Sequence, residues 1–206
     1  MSPRKIFLSV IVLLEWFSLI AQMILHMKAS PALFGEALTR YFSFFTVLSN
    51  LLVALYSTDL FLTSRSSARG FFHRASVQTA ITLYVTVVGL VYNIVLRNLW
   101  ESHGLQAVLH DLLHTVLPIL TIIYWYKWVN TKKLHFSNIP AWLIYPAVYS
   151  IFVFVRGPFA KWYPYPFLNV EELGYTKVIL NTVILVFVFL IFSILFVFVG
   201  KKKNIR

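Results

Sequence analysis

The sequence of 206 residues contains no cysteine and seven acidic residues. The lack of cysteine excludes disulfides, thiolate nucleophiles and zinc sites built on cysteine. Charged residues make up 12% of the chain and hydrophobic residues 59%, and the mean hydropathy is +0.77. This composition is too apolar for a soluble domain of such length, so it indicates an integral membrane protein.

Six hydrophobic stretches each have about the 20 residues that a helix needs to cross a membrane. They cover residues 6–26, 40–63, 77–98, 107–128, 140–157 and 174–199. Their length and lack of two-residue alternation favour helices over a barrel. We therefore predict an all-α integral membrane protein with one domain, residues 1–206, and six transmembrane helices in one bundle. Glu15 inside the first stretch favours a retained helix over a cleaved signal peptide.

The net charge of +11 is distributed unevenly along the chain. On one side of the predicted topology lie Arg4, Lys5, Arg65, Arg69, Arg74, Lys127, Lys132, Lys133, Lys201, Lys202, Lys203 and Arg206. The positive-inside rule then predicts that both termini are cytoplasmic. Topology accounts for the basic charge, so no nucleic-acid partner is predicted.

Polar residues inside the predicted helices gather at one depth. His110, Asp111 and His114 lie within five residues of the fourth stretch, and ionisable groups inside a membrane mark function. At the same outer depth we expect Ser43, Thr46, Asn50, Asn93, Arg97 and Arg156. The spacing of residues 43, 46 and 50 predicts one helix face. Glu15 lies deeper, and we expect it to pair within the bundle.

These residue types can support hydrolysis by a hydroxyl nucleophile. Thr46 or Ser43 would attack, and His114 would accept the proton as the base. Support for the base would come from Asp111 or His110. The groups that could stabilise an oxyanion or support the site are Asn50, Asn93, Arg156 and Arg97.

Each of these residues also has a structural interpretation. Serine and threonine hydroxyls often bond to their own helix, and asparagine often joins helices. Asp111 can pair with Arg97 or Arg156, and arginines near helix ends can extend to the interface. His110, Asp111 and His114 could instead hold zinc or iron, and histidines could ligate haem. No HExxH-type glutamate is present and one helix carries the pair, so we predict no metal or cofactor.

The segment after the fifth stretch interleaves prolines with aromatic residues and cannot continue a helix. It predicts a stiff non-cytoplasmic loop or lid over the site. The aromatic residues that would form this lid are Trp162, Tyr163, Tyr165 and Phe167.

Three segments carry a resemblance to a known family: FSFFTVLSNLL followed by TDL, HDLLHTVLP, and KWYPYPFLNVEELG. They resemble the androgen-induced-gene and androgen-dependent TFPI-regulating protein family and its bacterial six-helix relatives. The animal members are membrane threonine hydrolases of fatty acid esters of hydroxy fatty acids. The resemblance implies a nucleophile early in the second helix, where gapless matching places Ser43 and the nearby threonine is Thr46. It also implies a histidine base, matched by His114 with one residue skipped, and a second histidine matched by His110.

From the residues and the resemblance together we expect an intramembrane hydrolase of lipid esters in a bacterial inner membrane. Its substrate would be a lipid or another amphiphile that enters from the outer half of the membrane. The alternatives are a transporter or small-ligand binder without catalysis, and a metal-dependent membrane hydrolase that uses His110, Asp111 and His114.

Overall fold

The structure, a computed structural model, describes residues 2–63, 70–99 and 102–203, which form helices and no strands. Six helical segments in this part are long and apolar enough to cross a membrane, so the predicted all-α membrane fold is confirmed. The helices are α1 (Pro3–Ala29), α2 (Phe34–Tyr41), α3 (Phe45–Leu62), α4 (Ala75–Val91), α5 (Leu105–Asp111), α6 (Leu117–Trp128), α7 (Ile139–Ala160) and α8 (Val170–Lys202). A π-helical turn at Tyr92–Leu96 extends α4, and another at Leu112–Val116 joins α5 to α6.

Both ends of the described chain lie at one face of the bundle. Arg4, in the first turn of α1, donates a hydrogen bond from Nε to the Tyr124 hydroxyl near the end of α6 at 3.0 Å. Lys203 Nζ, at the end of α8, donates to the carbonyls of Trp125 and Val129 at 2.8 Å each. Burial lowers the pKa of Lys203 to about 8. Three of the basic residues predicted to lie on one side of the membrane, Arg65, Arg69 and Arg206, fall outside the described residues.

The second hydrophobic stretch forms two helices instead of the predicted single one. The chain leaves helical geometry at Phe44, which is extended with φ −78° and ψ 126°, and α3 begins at Phe45. Two contacts hold the break: Ser43 Oγ donates to the Thr39 carbonyl at 2.7 Å, and the Tyr149 hydroxyl donates to the Ser43 carbonyl at 2.9 Å. Thr46 therefore lies in the first turn of α3, and Ser43 lies before that helix instead of on its face.

The loop between the last two spanning helices is shorter than predicted. Helix α7 continues through Pro158 to Ala160, and α8 begins at Val170, where Asn169 accepts a hydrogen bond from the Glu171 N–H at 3.1 Å. Only residues 161–169 connect the two helices. A non-helical glycine, Gly174 with φ 75° and ψ 158°, interrupts α8 at the position where the hydrophobic stretch begins.

Prolines inside helices leave carbonyl groups that neighbouring helices satisfy. A proline has no N–H, so the carbonyl four residues earlier loses its helical partner. For Pro146 this carbonyl belongs to Trp142, and it accepts a hydrogen bond from the Tyr84 hydroxyl at 2.8 Å. Pro118 has the same effect on the carbonyl of His114. Pro146 thus exposes a carbonyl through which α7 is joined to α4.

Candidate active site

Thr46 lies at the start of α3, where its side chain contacts the loop of residues 161–169. Its Oγ1 is 3.2 Å from the Tyr165 hydroxyl, and its backbone N–H donates to that hydroxyl at 3.1 Å. The residue is 8% exposed. The first N–H groups of a helix have no partner within the helix, so the Thr46 N–H is available to an outside acceptor. Burial raises the pKa of the Tyr165 phenol, which therefore stays protonated to higher pH than an ordinary tyrosine.

His114 is held in one tautomer by a backbone contact. Its Nδ1 is 2.8 Å from the carbonyl oxygen of His110. A carbonyl can only accept, so Nδ1 carries the proton, and in the neutral ring Nε2 keeps its lone pair. The ring stacks on Tyr92 with centroids 4.0 Å apart and planes 18° apart. A backbone carbonyl thus fixes the orientation of this ring.

Two asparagines hold the turn that carries His114. In the π-helical turn the Leu117 N–H bonds to the Leu112 carbonyl, so the carbonyl of Leu113 loses its usual partner. Asn50 Nδ2 donates to the Leu113 carbonyl at 3.3 Å. Asn93 Nδ2 donates to the His114 carbonyl, which Pro118 leaves unpaired, at 3.2 Å. These amides thus bind backbone rather than the expected oxyanion.

A glycine permits the close approach of α4 to this turn. A Cβ added at Gly89 would lie 2.8 Å from the carbonyl oxygen of His114, closer than side chains tolerate. The same region brings Asn93 Nδ2 to 2.8 Å from the Gly89 carbonyl. Gly89 and Asn93 therefore join α4 to the π-helical turn at the level of His114.

The residues expected to support His114 point in other directions. Asp111 Oδ1 pairs with Arg97 at 2.6 Å, and these side chains are 51% and 47% exposed. His110 bonds through Nδ1 to Ser102 Oγ at 2.8 Å and through Nε2 to Gln106 Nε2 at 2.7 Å. Asp111 thus takes the structural pairing with Arg97. The backbone of His110, rather than either side chain, orients the His114 ring.

The three ionisable groups of HDLLH do not converge on one point. Asp111 is turned to Arg97, and His114 is turned to the backbone of its own helix. Across residues 2–63, 70–99 and 102–203, no group of three or more histidine or acidic side chains is placed to hold a metal. The metal-site hypothesis therefore gains no geometric support.

Ser43 and Arg156 also have other partners. The Ser43 hydroxyl bonds to the Thr39 carbonyl, as the structural interpretation of such hydroxyls expects. Arg156 pairs with Glu36 at 2.9 Å, and its guanidinium lies 5.5 Å from the centre of the Trp162 ring. Among the described residues neither side chain has a hydrogen bond to Thr46, so fewer groups meet at Thr46 than the sequence suggested.

Thr46, His114 and Tyr165 line two cavities together. One cavity of about 160 Å³ lies between α3, α4, α7 and α8 and is apolar, with Val88, Pro146, Phe167 and Phe189 in its wall. The other, of about 170 Å³, lies between α1, α3 and α5 and includes Gln22, His26 and His110. We call them the apolar cavity and the polar cavity. A larger cavity of about 400 Å³, near Trp125 and Lys127, lies away from these groups.

The four predicted lid residues divide between two places. Tyr165 and Phe167 stack with ring centroids 5.2 Å apart and reach the apolar cavity. The Phe167 carbonyl accepts a hydrogen bond from Asn181 Nδ2 of α8 at 2.8 Å. Trp162 packs on Phe44 outside the apolar cavity, and Tyr163 packs closely over Gly157. Only the first pair reaches the apolar cavity.

The sequence analysis did not predict that Gln106 and Tyr92 contact the two histidines. Gln106 lies one turn before His110 on the same helix face, a spacing that could have revealed it. Tyr92, which stacks on His114, is an ordinary aromatic residue of an apolar helix and carries no such signal.

Comparison with known proteins returns no relative. No protein-family model matches the chain, no curated protein matches it, and no solved structure matches it. The chemistry of the site therefore rests on its own geometry.

Proposed function

We propose that the chain is an intramembrane hydrolase of lipid esters, with Thr46 as the nucleophile and His114 as the base. The observation that carries this proposal is that both residues line the same two cavities, with the proton of His114 fixed on Nδ1. A neutral imidazole with a free Nε2 is the form that a general base requires. Between the two hydroxyls named by the sequence, Thr46 is favoured because the Ser43 hydroxyl is bonded to its own backbone.

The proposed first step transfers the acyl group to Thr46. Thr46 Oγ1 attacks the ester carbonyl carbon, and its proton goes to His114 Nε2. The ester C–O bond then breaks, and His114 returns the proton to the leaving alcohol oxygen. A water molecule, deprotonated in turn by His114, cleaves the Thr46 ester to give the fatty acid and regenerate the hydroxyl.

The developing oxyanion needs hydrogen-bond donors that the asparagines do not provide. In the proposed mechanism they are the Thr46 backbone N–H, at the positive end of α3, and the Tyr165 hydroxyl. At present the Thr46 N–H donates to the Tyr165 hydroxyl at 3.1 Å. The substrate carbonyl oxygen would replace the hydroxyl as the acceptor of this N–H, and the Tyr165 hydroxyl would shift to donate to the same oxygen.

The two cavities suit the two parts of an amphiphilic ester. The apolar cavity would hold an acyl chain, and the polar cavity, with Gln22 and His26, would hold the alcohol part. The excess of Lys and Arg at the face carrying the chain ends supports the proposal that both termini are cytoplasmic. The site then opens in the outer half of the membrane, and on the resemblance we place the protein in a bacterial inner membrane.

The test is covalent labelling of the purified full-length protein by a fluorophosphonate probe. Wild type should label on Thr46, and labelling should be lost in Thr46→Ala. His114→Ala should slow labelling by about 100-fold or more, as expected for loss of a general base. Tyr165→Phe should slow it by a smaller factor, since one oxyanion donor remains.

Ser43→Ala is the matched control, because it removes a neighbouring hydroxyl that is bonded to its own backbone. It should label as wild type does. Folded wild-type protein that fails to label would overturn the hydrolase proposal and favour a ligand binder or transporter. Labelling that Ser43→Ala abolishes would assign the nucleophile to Ser43 instead.

A further inference from the structure

Glu15 is a carboxyl group buried in the membrane without a partner. Its exposed fraction is 0%, and neither oxygen has a hydrogen-bond partner among the residues that the structure describes. The expected pairing within the bundle is thus not found. An uncompensated carboxylate is very costly in such surroundings, whereas the protonated acid is far less so. An ionisable group kept there at this cost is by default a functional residue.

Two tyrosines lie near the depth of Glu15, and one of them reaches the face that carries both chain ends. Trp16, next to Glu15, donates from Nε1 to the Thr58 hydroxyl of α3 at 3.1 Å, which brings Tyr56 of α3 to a similar depth. The two tyrosine rings lie 6.4 Å apart, and the Tyr124 hydroxyl accepts a hydrogen bond from Arg4 Nε at 3.0 Å. A phenol can accept one proton and donate another, so the two tyrosines form the parts of a relay.

The route towards the other face runs through short polar side chains. Glu15, Ser18, Gln22 and His26 follow one face of α1. Gln22 lies seven residues beyond Glu15, a rise of about 10 Å, and the buried polar groups on that side include Ser18 of α1 and Ser49 and Asn50 of α3. In the opposite direction the Tyr124 hydroxyl reaches Arg4 at the chain-end face, so we take that face as the one that exchanges the proton.

The other titratable groups facing α1 have partners elsewhere. The Tyr41 hydroxyl of α2 donates to the Leu19 carbonyl at 2.6 Å. His110 of α5 bonds to Ser102 and Gln106. From α3 and α6 the titratable groups near this depth are Tyr56 and Tyr124, whose rings lie 6.4 Å apart.

We propose that Glu15 is a proton-binding site inside the membrane, neutral at rest, that exchanges its proton with the chain-end face through Tyr56 and Tyr124. Release moves one proton to water at that face and leaves one carboxylate in the bundle. The inference is independent of the hydrolase chemistry. It would make the bundle responsive to the pH on one side of the membrane.

The first test uses dicyclohexylcarbodiimide, an apolar reagent that adds to protonated carboxyl groups. The full-length protein in lipid vesicles at pH 7 should form a stable adduct on the peptide containing Glu15. The adduct should disappear in Glu15→Gln and remain in Glu15→Asp. Glu36 and Asp111, which are paired with arginines, serve as internal controls and should stay unlabelled. No adduct on Glu15 of the folded wild type would overturn the proposal.

The second test asks which face supplies the proton. In vesicles with one protein orientation, the pH is raised from about 7 to 9 on one side, and labelling is measured before the two sides equilibrate. Raising it at the chain-end face should slow labelling several-fold. Tyr56→Phe should weaken this response, and Tyr41→Phe, the matched control, should not.

A response to the opposite face would overturn the proposed route. Suppression by Na⁺ at constant pH would overturn the proton assignment and indicate a cation site. Equal responses of the Tyr56→Phe variant and wild type would likewise remove the tyrosine relay.

Discussion

Two polar clusters beside Thr46 are built from different interactions. The more buried one, the His114 cluster, consists of buried Asn50 and Gly89 and half-buried His114 and Asn93. Its bonds run from neutral side chains to backbone carbonyls. The other, the Glu36 cluster, consists of Glu36, Arg40, Arg156 and Trp162. In it Glu36 accepts from Arg40 at 2.8 Å and from Arg156 at 2.9 Å, while both guanidinium groups lie over Trp162.

The difference shows which contacts fix the site and which only border it. An unpaired polar group inside a protein costs about 1–3 kcal/mol, whereas exposed ion pairs contribute about 0–1 kcal/mol. The Glu36 side chain is 37% exposed, so water can replace its partners. In the His114 cluster Asn50 is fully buried, so water cannot replace its amide. We therefore expect substitutions in the buried cluster to be the more damaging.

The largest effect is expected from Gly89→Ala. The added methyl group would meet the rigid carbonyl of His114 at 2.8 Å, so α4 and the π-helical turn must separate. We expect a loss of about 1–3 kcal/mol of stability, typical of overpacking, together with loss of fluorophosphonate labelling. Thermal unfolding in detergent and labelling rates measure the two effects.

Gly35→Ala is the control for this substitution. Gly35 also lies in a helix, and a Cβ there would meet nothing within 4 Å. Alanine in a helix is favoured over glycine, so this variant should label normally and melt no lower than wild type. If Gly89→Ala behaved like Gly35→Ala, the close contact at His114 would be refuted.

The next largest effect is expected from removing the asparagine amides. Asn93→Ala leaves the His114 carbonyl unpaired and should cost about 1–2 kcal/mol, with labelling slowed by about tenfold. Asn50→Ala should act in the same direction. Because both amides bind the same turn, the double variant should lose less stability than the sum of the losses in the two single variants. Strict additivity would show that the two asparagines act separately.

The spanning helices could be predicted because their signal is compositional. Each hydrophobic stretch overlaps a helix of the structure, since only helices satisfy their own backbone in lipid. The break at Phe42–Phe44 could not be read in the same way. These residues are as apolar as their neighbours, and the break depends on a hydrogen bond from Tyr149, which lies 106 positions away from Ser43.

The sequence indicated candidate residues but not the contacts that they make. The spacing of His110 and His114 predicted one helical segment, which the structure contains at Leu105–Trp128, yet only the structure shows that the His110 carbonyl holds the His114 ring. The contacts of Asn50 and Asn93 depend on which backbone carbonyls have lost their hydrogen-bond donor within the helix. The sequence does contain one such clue, because Pro118 must leave the carbonyl of His114 unpaired.

The smallest effect is expected from Glu36→Gln. The hydrogen bond from Arg40, and after it the one from Arg156, lower the pKa of Glu36. A lowered pKa in the folded protein means that the ion pairs add stability above the unfolded pKa and lose it as pH falls through the folded value. The free energy of unfolding of wild type should therefore exceed that of the variant by at most about 1 kcal/mol at pH 7, and this difference should disappear at acid pH. High salt should also reduce the difference in stability, because exposed charges are screened.

Melting curves of wild type and Glu36→Gln at several pH values measure this difference. The fluorophosphonate labelling of Thr46 should be the same in both proteins. A gap that persisted in acid, or a loss of labelling equal to that of Asn93→Ala, would place Glu36 among the contacts that fix the site and remove the distinction between the two clusters.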